Sequence, residues 1–510
     1  MVLCTQCQNL AVEARVPDCN IQGGGKCLAC KEDMQLQQKI QELQERRRKL
    51  RTKMNANHDP FVLKLPPEVA SHIFLLSMGE RDTRKISGDG LPTPFLLGAV
   101  CRGWRQLARS TPHLWSRLAF VLPESKKSTI MKSLPHLVTD WLERSGGLPL
   151  TLDISYRGSC DSPPEVGSVP VINALNQHSG RWHKVKFHLP SFYLNRLSGT
   201  SPPQSLCNIF ISNWWGTVRN PTFKMNTRPS PMEFIVIYIP LKAVDIAWDC
   251  LVHLAVNAIP FDGVLQVIRD APLLEICSLS EISTPIDVSE TTFVRHPHLR
   301  TLELSWMQAG IFTKIINSLE LPSLESWTFG SEENVITVEA ISFLKRSGSG
   351  LKKLDISQDQ VPAFEDFERL LQAAPHLQCL VVDSPIDDFS SVMDNILERI
   401  SVSPPSALQI GNHAGFLSGL QCLKLSGQEL NAWECIPLIY QWTHRKLLKL
   451  DIQMECIKIG DEMSGILVQL ADEGIGLGIC DPNTKEDHLQ RFRDSTSLQT
   501  PKKTIDQAVL

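Results

Sequence analysis

A short leucine-based pattern recurs along most of the chain and limits the folds that the chain can adopt. The pattern is L-x2-L-x-L, in which other apolar residues sometimes replace leucine. Its copies begin at Leu251, Leu274, Leu299, Leu324, Leu351, Leu377, Leu420 and Leu447. The successive steps are 23, 25, 25, 27, 26, 43 and 27 residues. Most steps fall within the roughly 20–29 residues of a leucine-rich unit, and the longest indicates an insertion over 387–416.

The spacing within each copy indicates a strand. The last two apolar positions are two residues apart, so both face the same side of a strand. Segments between the copies have helical patterns, for example 261–269, 310–319 and 363–373. No single unit can bury its apolar face, so the units must stack. With weaker copies at Trp182 and Leu206, and at Leu241, the pattern predicts an irregular solenoid over 148–478, with a concave surface of strands and helices on the outer face.

Residues 1–31 form a Cys-rich segment. Two C-x2-C pairs can bind Zn²⁺ tetrahedrally in a segment too small for its own core. The candidate ligands are Cys4, Cys7, Cys27 and Cys30. Cys19 is a competing ligand, so structural zinc and free thiols both remain open. The first residues lack the pattern of a secretory signal, which favours reduced thiols and a cytoplasmic or nuclear location.

Residues 32–57 predict a basic amphipathic helix. Its apolar residues recur at alternating gaps of four and three, as in a coiled coil, with Arg47 in place of one of them. The apolar positions are Leu36, Ile40, Leu43 and Leu50. The segment 32–53 could therefore pair with a second copy or another helix. The basic run 46–53 would suit a nuclear signal or a nucleic-acid contact, but we favour a solvated helix face because the net charge of the chain is −4.

A compact apolar stretch over 62–121 predicts three short helices. The first begins at Leu65-Pro66-Pro67-Glu68, the second at Pro94 and the third at Thr111-Pro112. The apolar stripe of the first helix is Val69, Ile73, Phe74 and Leu76, and that of the second is Leu97, Val100, Cys101, Trp104 and Leu107. The insert 79–93 is expected to be a loop. Three short helices cannot bury so many large side chains, which indicates a protein partner.

This stretch resembles the F-box of many fungal proteins. The resemblance rests on L-P-x-E, on the V-C-R-x-W core and on the T-P-x-L-W ending. It implies that the module binds the Skp adaptor of a cullin–RING ubiquitin ligase and that the leucine-rich array recruits a protein substrate. Some matching residues would contact the adaptor and others would hold the module together. These residues are Leu65, Pro66, Glu68, Ile73, Val100, Cys101, Trp104 and Trp115.

The sequence thus predicts an α/β protein with a three-helix F-box module followed by the solenoid. A helical connector over 122–147 and a flexible tail over 481–510 complete the organisation. No catalytic motif or cofactor site other than zinc is apparent, so we expect a non-catalytic substrate receptor. Trp306 and Trp327 are candidate substrate anchors that could equally belong to the core.

Other classes of protein are less well supported by the sequence. The alternative function is a nucleic-acid or chromatin-binding scaffold that uses zinc and the basic helix and has a non-ligase F-box. Nucleic acid is disfavoured as the main ligand because the chain outside the basic run is acidic. A membrane-bound protein is also disfavoured, because no apolar run approaches the ~18 residues of a membrane span.

Overall fold

The structure is a computed structural model, and the chain divides into two compact units. One comprises 1–84 with 88–115, and the other 85–87 with 116–510. The residues that the structure describes are 27–78, 85–86, 93–123, 129–157, 169–199, 205–214, 221–261, 263–283, 293–331, 333, 335, 338–348, 350–358, 360, 362–384, 390–402 and 416–499. Within these ranges, no helix has the length and apolar character needed to cross a membrane.

The first unit is helical. Its helices are α1 (Leu28–His58), α2 (Pro60–Lys64), α3 (Pro67–Leu76), α4 (Thr93–Val100) and α5 (Arg102–Arg109), followed by a 3-10 turn at Pro112–Leu114. Proline in the first turn of α3 supplies the fixed φ of a helix start, and Glu68 complements the positive end of the helix dipole. The predicted first and third helices are therefore present, the third as a 3-10 turn.

The predicted second helix is divided in two, which corrects the expectation of one helix running from Pro94. Cys101 separates α4 from α5 because its backbone is extended, with φ −154° and ψ 176°. Its sulfur accepts a hydrogen bond from the Trp104 amide at 3.4 Å, as an N-cap side chain does. Apolar spacing alone carried no sign of this local cap.

The second unit is built on a long sheet of parallel strands. Its strands are β1 (Lys85–Ile86), β2 (Arg117–Pro123), β3 (Leu150–Arg157), β4 (Trp182–His188), β5 (Asn208–Ser212), β6 (Phe223–Lys224), β7 (Glu233–Ile237), β8 (Val244–Asp245), β9 (His253–Asn257), β10 (Ile276–Ser280), β11 (Val294–Arg295), β12 (Thr301–Ser305), β13 (Leu319–Glu320), β14 (Ser326–Ser331), β15 (Lys353–Gln358), β16 (Cys379–Asp383), β17 (Cys422–Glu429), β18 (Lys449–Cys456) and β19 (Leu477–Cys480). Fifteen of them form one sheet in chain order, while β6 pairs with β8 and β11 with β13 separately.

Helices occupy many of the connections between these strands, as parallel pairing requires. They are α6 (Thr129–Arg144), α7 (Val169–Gln177), α8 (Ser191–Leu194), α9 (Val264–Asp270), α10 (Ala309–Asn317), α11 (Val338–Ser347), α12 (Phe364–Gln372), α13 (Ser390–Val402), α14 (Cys435–Tyr440), α15 (Asp461–Asp472) and α16 (His488–Gln499). The three segments with helical patterns in the sequence correspond to α9, α10 and α12. The insertion over 387–416 contains α13.

The leucine-based pattern forms the core of this unit. Its last two positions are buried and pair in register with those of the neighbouring strand; Leu302, for example, lies between Cys277 and Trp327. Alternate strand residues lie on the opposite side of the sheet, which we call the open face. A mixed α/β, solenoid-like fold with a long parallel sheet is therefore confirmed.

Three predicted boundaries are wrong. The sheet begins before residue 148, because β2 belongs to the second unit; the helix predicted for the connector 122–147 is present as α6, which belongs to this unit as well. The same strand moves the end of the helical module from residue 121 to Trp115. Within the insert 79–93, which was expected to be a loop, β1 pairs with β2.

One weak copy of the pattern was also assigned to the wrong residues. The copy at Leu241 would have placed a strand of the main sheet over Val244 and Ile246, but only β8 forms there, outside that sheet. The strand of this unit is β7, which buries Phe234 and Val236. This strand ends at Ile237, directly before the left-handed backbone of Tyr238, and Pro240 follows two residues after Tyr238.

The predicted flexible tail over 481–510 contains α16. The Asp487 carboxylate accepts hydrogen bonds from the amides of Leu489 and Gln490, at 2.9 and 3.2 Å, and so starts the helix. Leu489 is buried, and Arg493 forms an ion pair at 2.6 Å with Asp472 at the end of α15. Sequence patterning missed this helix because one buried leucine is too weak a periodic signal. Residues 500–510 lie outside the described residues.

A buried histidine stabilises one turn of the array. His296 donates a hydrogen bond from Nε2 to the Ala271 carbonyl at 2.9 Å, and its Nδ1 accepts one from the Leu299 amide at 3.0 Å. The ring is therefore neutral. Burial lowers the pKa of His296, and the nearby His298 lowers it further, although the hydrogen bond to Ala271 opposes the shift. His296 thus satisfies backbone groups that a polar uncharged side chain could also satisfy.

We expect the free energy of unfolding to decrease as the pH falls below about 6.5. The unfolded histidine takes up a proton near that pH, whereas the buried ring does so only at lower pH, so the stabilisation present above 6.5 is lost on acidification. Urea unfolding at neutral and mildly acidic pH should show a smaller decrease for His296→Asn, which keeps one donor and one acceptor. An unchanged pH dependence in this variant would assign the effect to other histidines.

Candidate functional site

Three aromatic rings form the core of the helical unit. Phe61, Phe74 and Trp104 come from α2, α3 and α5, with ring centroids 5.3 Å apart for Phe61–Phe74, 4.9 Å for Phe61–Trp104 and 5.0 Å for Phe74–Trp104. Rings at these distances pack favourably as well as burying apolar area. The cluster joins three short helices that would not be stable alone.

Trp115 completes this core at the end of the unit. Its side chain is buried, and Nε1 donates a hydrogen bond to the Ala108 carbonyl at 2.7 Å. The ring also packs edge-on against Phe95 at 5.5 Å. Of the eight motif residues, Trp115 therefore stabilises the module and is not available to a partner.

Cys101 links the two halves of the module through Asp59. The Cys101 thiol donates a hydrogen bond to the Asp59 carboxylate at 3.3 Å. The same carboxylate accepts from the amides of Phe61 and Val62, at 3.0 and 3.4 Å, and so caps α2. Cys101 thus positions the chain at the break between α4 and α5.

Apolar side chains remain exposed on two helices of this unit. On α3, Val69, Ile73 and Leu76 lie at positions i, i+4 and i+7, which share one face of a helix, and we call them the α3 stripe. On α4, Leu96 and Val100 are four residues apart, and we call them the α4 pair. Ile73 is 39% exposed and Val100 57% exposed. The α3 stripe and the α4 pair are the candidate functional site.

The structure divides the motif residues by exposure. Pro66, Glu68, Ile73 and Val100 are exposed, whereas Leu65, Cys101 and Trp104 are half-buried. Sequence reasoning did not single out Leu96, although its spacing to Val100 was a usable signal. It also placed the whole apolar stripe of the first helix together, whereas the structure buries only Phe74 of these residues.

The zinc prediction falls largely outside the described residues. Cys4 and Cys7 are not described. Cys27 caps α1, and its sulfur accepts a hydrogen bond from the Cys30 amide at 3.4 Å. Among the described residues, no group of three or more His, Cys, Asp and Glu side chains could hold a metal ion. Zinc binding by Cys4, Cys7, Cys27 and Cys30 therefore stays a prediction.

The two tryptophans proposed as substrate anchors have different environments. Trp327 is buried and packs against the rings of Phe329 and Phe343, at centroid distances of 4.6 and 5.1 Å, so it belongs to the core. Trp306 is 63% exposed and directly follows β12. Of the two, only Trp306 is therefore available to a ligand. The prediction of Trp327 as a substrate anchor is wrong.

Trp306 belongs to a row of residues at the carboxyl ends of successive strands. Tyr238, Ala258, Glu281 and Trp306 follow β7, β9, β10 and β12, with φ values of 59°, 53°, 51° and 55°. Left-handed backbone costs a non-glycine residue on the order of 1 kcal/mol, so the surrounding structure must impose it. Trp214 lies beside Tyr238, with ring centroids 5.1 Å apart. We call the exposed side chains of Trp214, Tyr238 and Trp306 the aromatic rim.

Two cysteines lie next to each other on neighbouring strands of the open face. Cys379 and Cys422 are paired in register on β16 and β17. Burial raises the pKa of Cys379 to about 11, and the hydrogen bond between its thiol and the Cys422 sulfur acts in the same direction. The thiol is therefore protonated at neutral pH and is a poor nucleophile.

Neither a scan of protein-family models nor a search of curated proteins returns a match to this chain. The function is therefore inferred from the motif residues and from the geometry of the α3 stripe and the α4 pair.

Proposed function

We propose that the chain is the substrate-recognition subunit of an SCF-type cullin–RING ubiquitin ligase. In this proposal the helical unit is an F-box that binds the Skp adaptor, and the parallel-sheet unit is a leucine-rich array that binds a protein substrate. Ubiquitin transfer would belong to partner subunits. The observation that carries the proposal is the exposure of the α3 stripe and the α4 pair on a module whose aromatic core is already complete.

The size of the exposed apolar surface suits a protein interface. Burying the remaining half of a valine, leucine or isoleucine side chain contributes about 1 kcal/mol. The five side chains of the α3 stripe and the α4 pair would together contribute roughly 5 kcal/mol, against about 8 kcal/mol for a micromolar complex. They would thus supply a large part of the binding energy before the entropy cost of association is subtracted.

The aromatic rim supports the second part of the proposal. Tryptophan and tyrosine dominate the binding energy of many interfaces, because they bury a large area at a low entropy cost. Glu281 lies in the same row, between Tyr238 and Trp306, and is exposed. A substrate segment with a basic residue between two apolar residues would complement this row.

Co-expression of the full chain with the Skp adaptor tests the proposal. Size-exclusion chromatography should yield a complex that contains both proteins. A Trp306→Ala variant should form the same complex, because the aromatic rim lies on the other unit. Failure of the wild-type chain to associate with the adaptor would overturn the proposed function.

A further inference from the structure

The long helix α1 carries an apolar seam that the described residues leave open. The seam follows alternating gaps of four and three residues, which place it on one side of the helix. Each of its members is more than half exposed: Leu36, Ile40, Leu43, Leu50 and Met54. An exposed seam of this length on a 31-residue helix is the geometry of one strand of a coiled coil.

The residues beside the seam are mostly basic. With Leu36, Leu43 and Leu50 at heptad positions d, the flanking e and g positions hold one acidic and four basic residues. These positions are occupied by Glu32, Gln37, Lys39, Gln44, Arg46, Arg51 and Lys53. Arg47 adds another positive charge within the seam, at position a.

Acidic residues of α1 do not neutralise this charge. Glu45 pairs with Arg48 at 3.1 Å, and Glu42 accepts a hydrogen bond from Gln38, all on the outer face of the helix. Within the described part of the chain, neither Arg46 nor Arg47 forms an ion pair or a hydrogen bond through its side chain. The basic flank is therefore available to an incoming negative charge.

The same charges disfavour a second copy of the chain as the occupant of the seam. In a parallel pair, Arg46 of one helix would face Arg51 of the other, and the two Arg47 side chains would meet in the seam. An antiparallel pair over the same residues would place Lys39 opposite Arg46 twice, although Glu32 and Lys53 would attract each other at its ends. Like charges at these positions select against a pairing.

We propose that α1 binds an acidic amphipathic helix of another protein and forms a two-helix coiled coil with it. The partner helix would have apolar a and d positions, glutamate at e and g, and an acidic residue facing Arg47. This interaction is independent of adaptor binding, because it uses the seam of α1 and not the α3 stripe or the α4 pair. It would give the chain a third interaction surface.

Binding of two synthetic helical peptides to the full chain tests the proposal. Both peptides span roughly four heptads, with leucine at d and isoleucine at a except at the position that faces Arg47; one peptide has glutamate at that position and at e and g, and the other has lysine there. We expect the acidic peptide to bind at least tenfold more tightly at low salt, by fluorescence anisotropy. The difference should shrink at about 1 M salt, where charges are screened beyond about 3 Å.

Two variants separate the seam from the rest of α1. Leu43→Ser with Leu50→Ser should weaken binding of the acidic peptide at least tenfold. Gln35→Ser with Gln41→Ser makes the same number of serine substitutions on the outer face and should leave binding unchanged. Equal binding of both peptides, or no binding, would overturn the proposal. So would sedimentation of the wild-type chain as a dimer that the seam variant converts to a monomer, because the occupant would then be a second copy.

Discussion

Replacing Ile73 and Val100 with aspartate is expected to weaken Skp adaptor binding at least 100-fold. Both side chains are exposed, so the module should still fold. In the proposed complex, each substitution would place a carboxylate in an apolar interface, where burying an unpaired charge is costly. A 100-fold loss corresponds to about 2.7 kcal/mol, a modest share of that cost. Calorimetric titration of the purified adaptor into the full chain would measure the change.

Two controls define the meaning of this result. Leu447→Asp makes the same chemical change at a leucine of the array that is 87% exposed, and adaptor binding should persist. Trp115→Ala removes a buried ring and should lose binding together with the helical unit's cooperative unfolding. If the Ile73→Asp, Val100→Asp variant kept its affinity for the adaptor, the adaptor would bind another surface of the chain.

Arg445→Ala is expected to reduce the free energy of unfolding by about 3 kcal/mol. The Arg445 side chain is fully buried, and burial lowers the pKa of its guanidinium. It donates hydrogen bonds to the carbonyls of Leu417 and Phe416, at 2.6 and 2.7 Å. Those carbonyls lie just before β17, where Leu417 has a φ of 48°. Removing the guanidinium would leave one buried and one partly buried carbonyl without a donor and a cavity beside them.

Urea unfolding followed by tryptophan fluorescence would measure this loss. Arg445→Lys keeps the charge but cannot reach two carbonyls in a fixed fork, so it should recover only part of the stability. Lys446→Ala alters the exposed neighbour and should change the free energy of unfolding by less than about 0.5 kcal/mol. A change below about 1 kcal/mol for Arg445→Ala would show that the two carbonyls find other donors.

The parallel sheet could be predicted from sequence because a single rule fixes it. A buried pair two residues apart and a repeated step specify both the strand and its neighbour, as at Leu302 and Leu304. The sequence did not predict β2 because this strand directly follows the helical motif, and its residues up to 121 were assigned to the helical module. The start of α16 depends on hydrogen bonds from Asp487, which is a local effect that leaves almost no periodic trace.

The candidate site was predictable as a set of residues but not as a surface. Motif spacing identifies Val100 and Trp115 equally, yet one is exposed and the other buried, because burial depends on how α4 and the following 3-10 turn pack. For Trp327 the sequence contained a sharper signal. It occupies an inward position of the leucine-based pattern, whereas Trp306 lies just beyond a strand.

The aromatic rim extends across strands that otherwise contact only their neighbours. Tyr238 and Trp306 follow β7 and β12, which are separated in the sheet by β9 and β10. In such an array, each unit is stabilised mainly by the units on either side, so distant parts can open independently. A ligand in contact with both aromatic residues would therefore stabilise the block of four strands from β7 to β12 as one unit. Amide protons throughout that block would then exchange with solvent together, and more slowly, in the bound protein than in the free one.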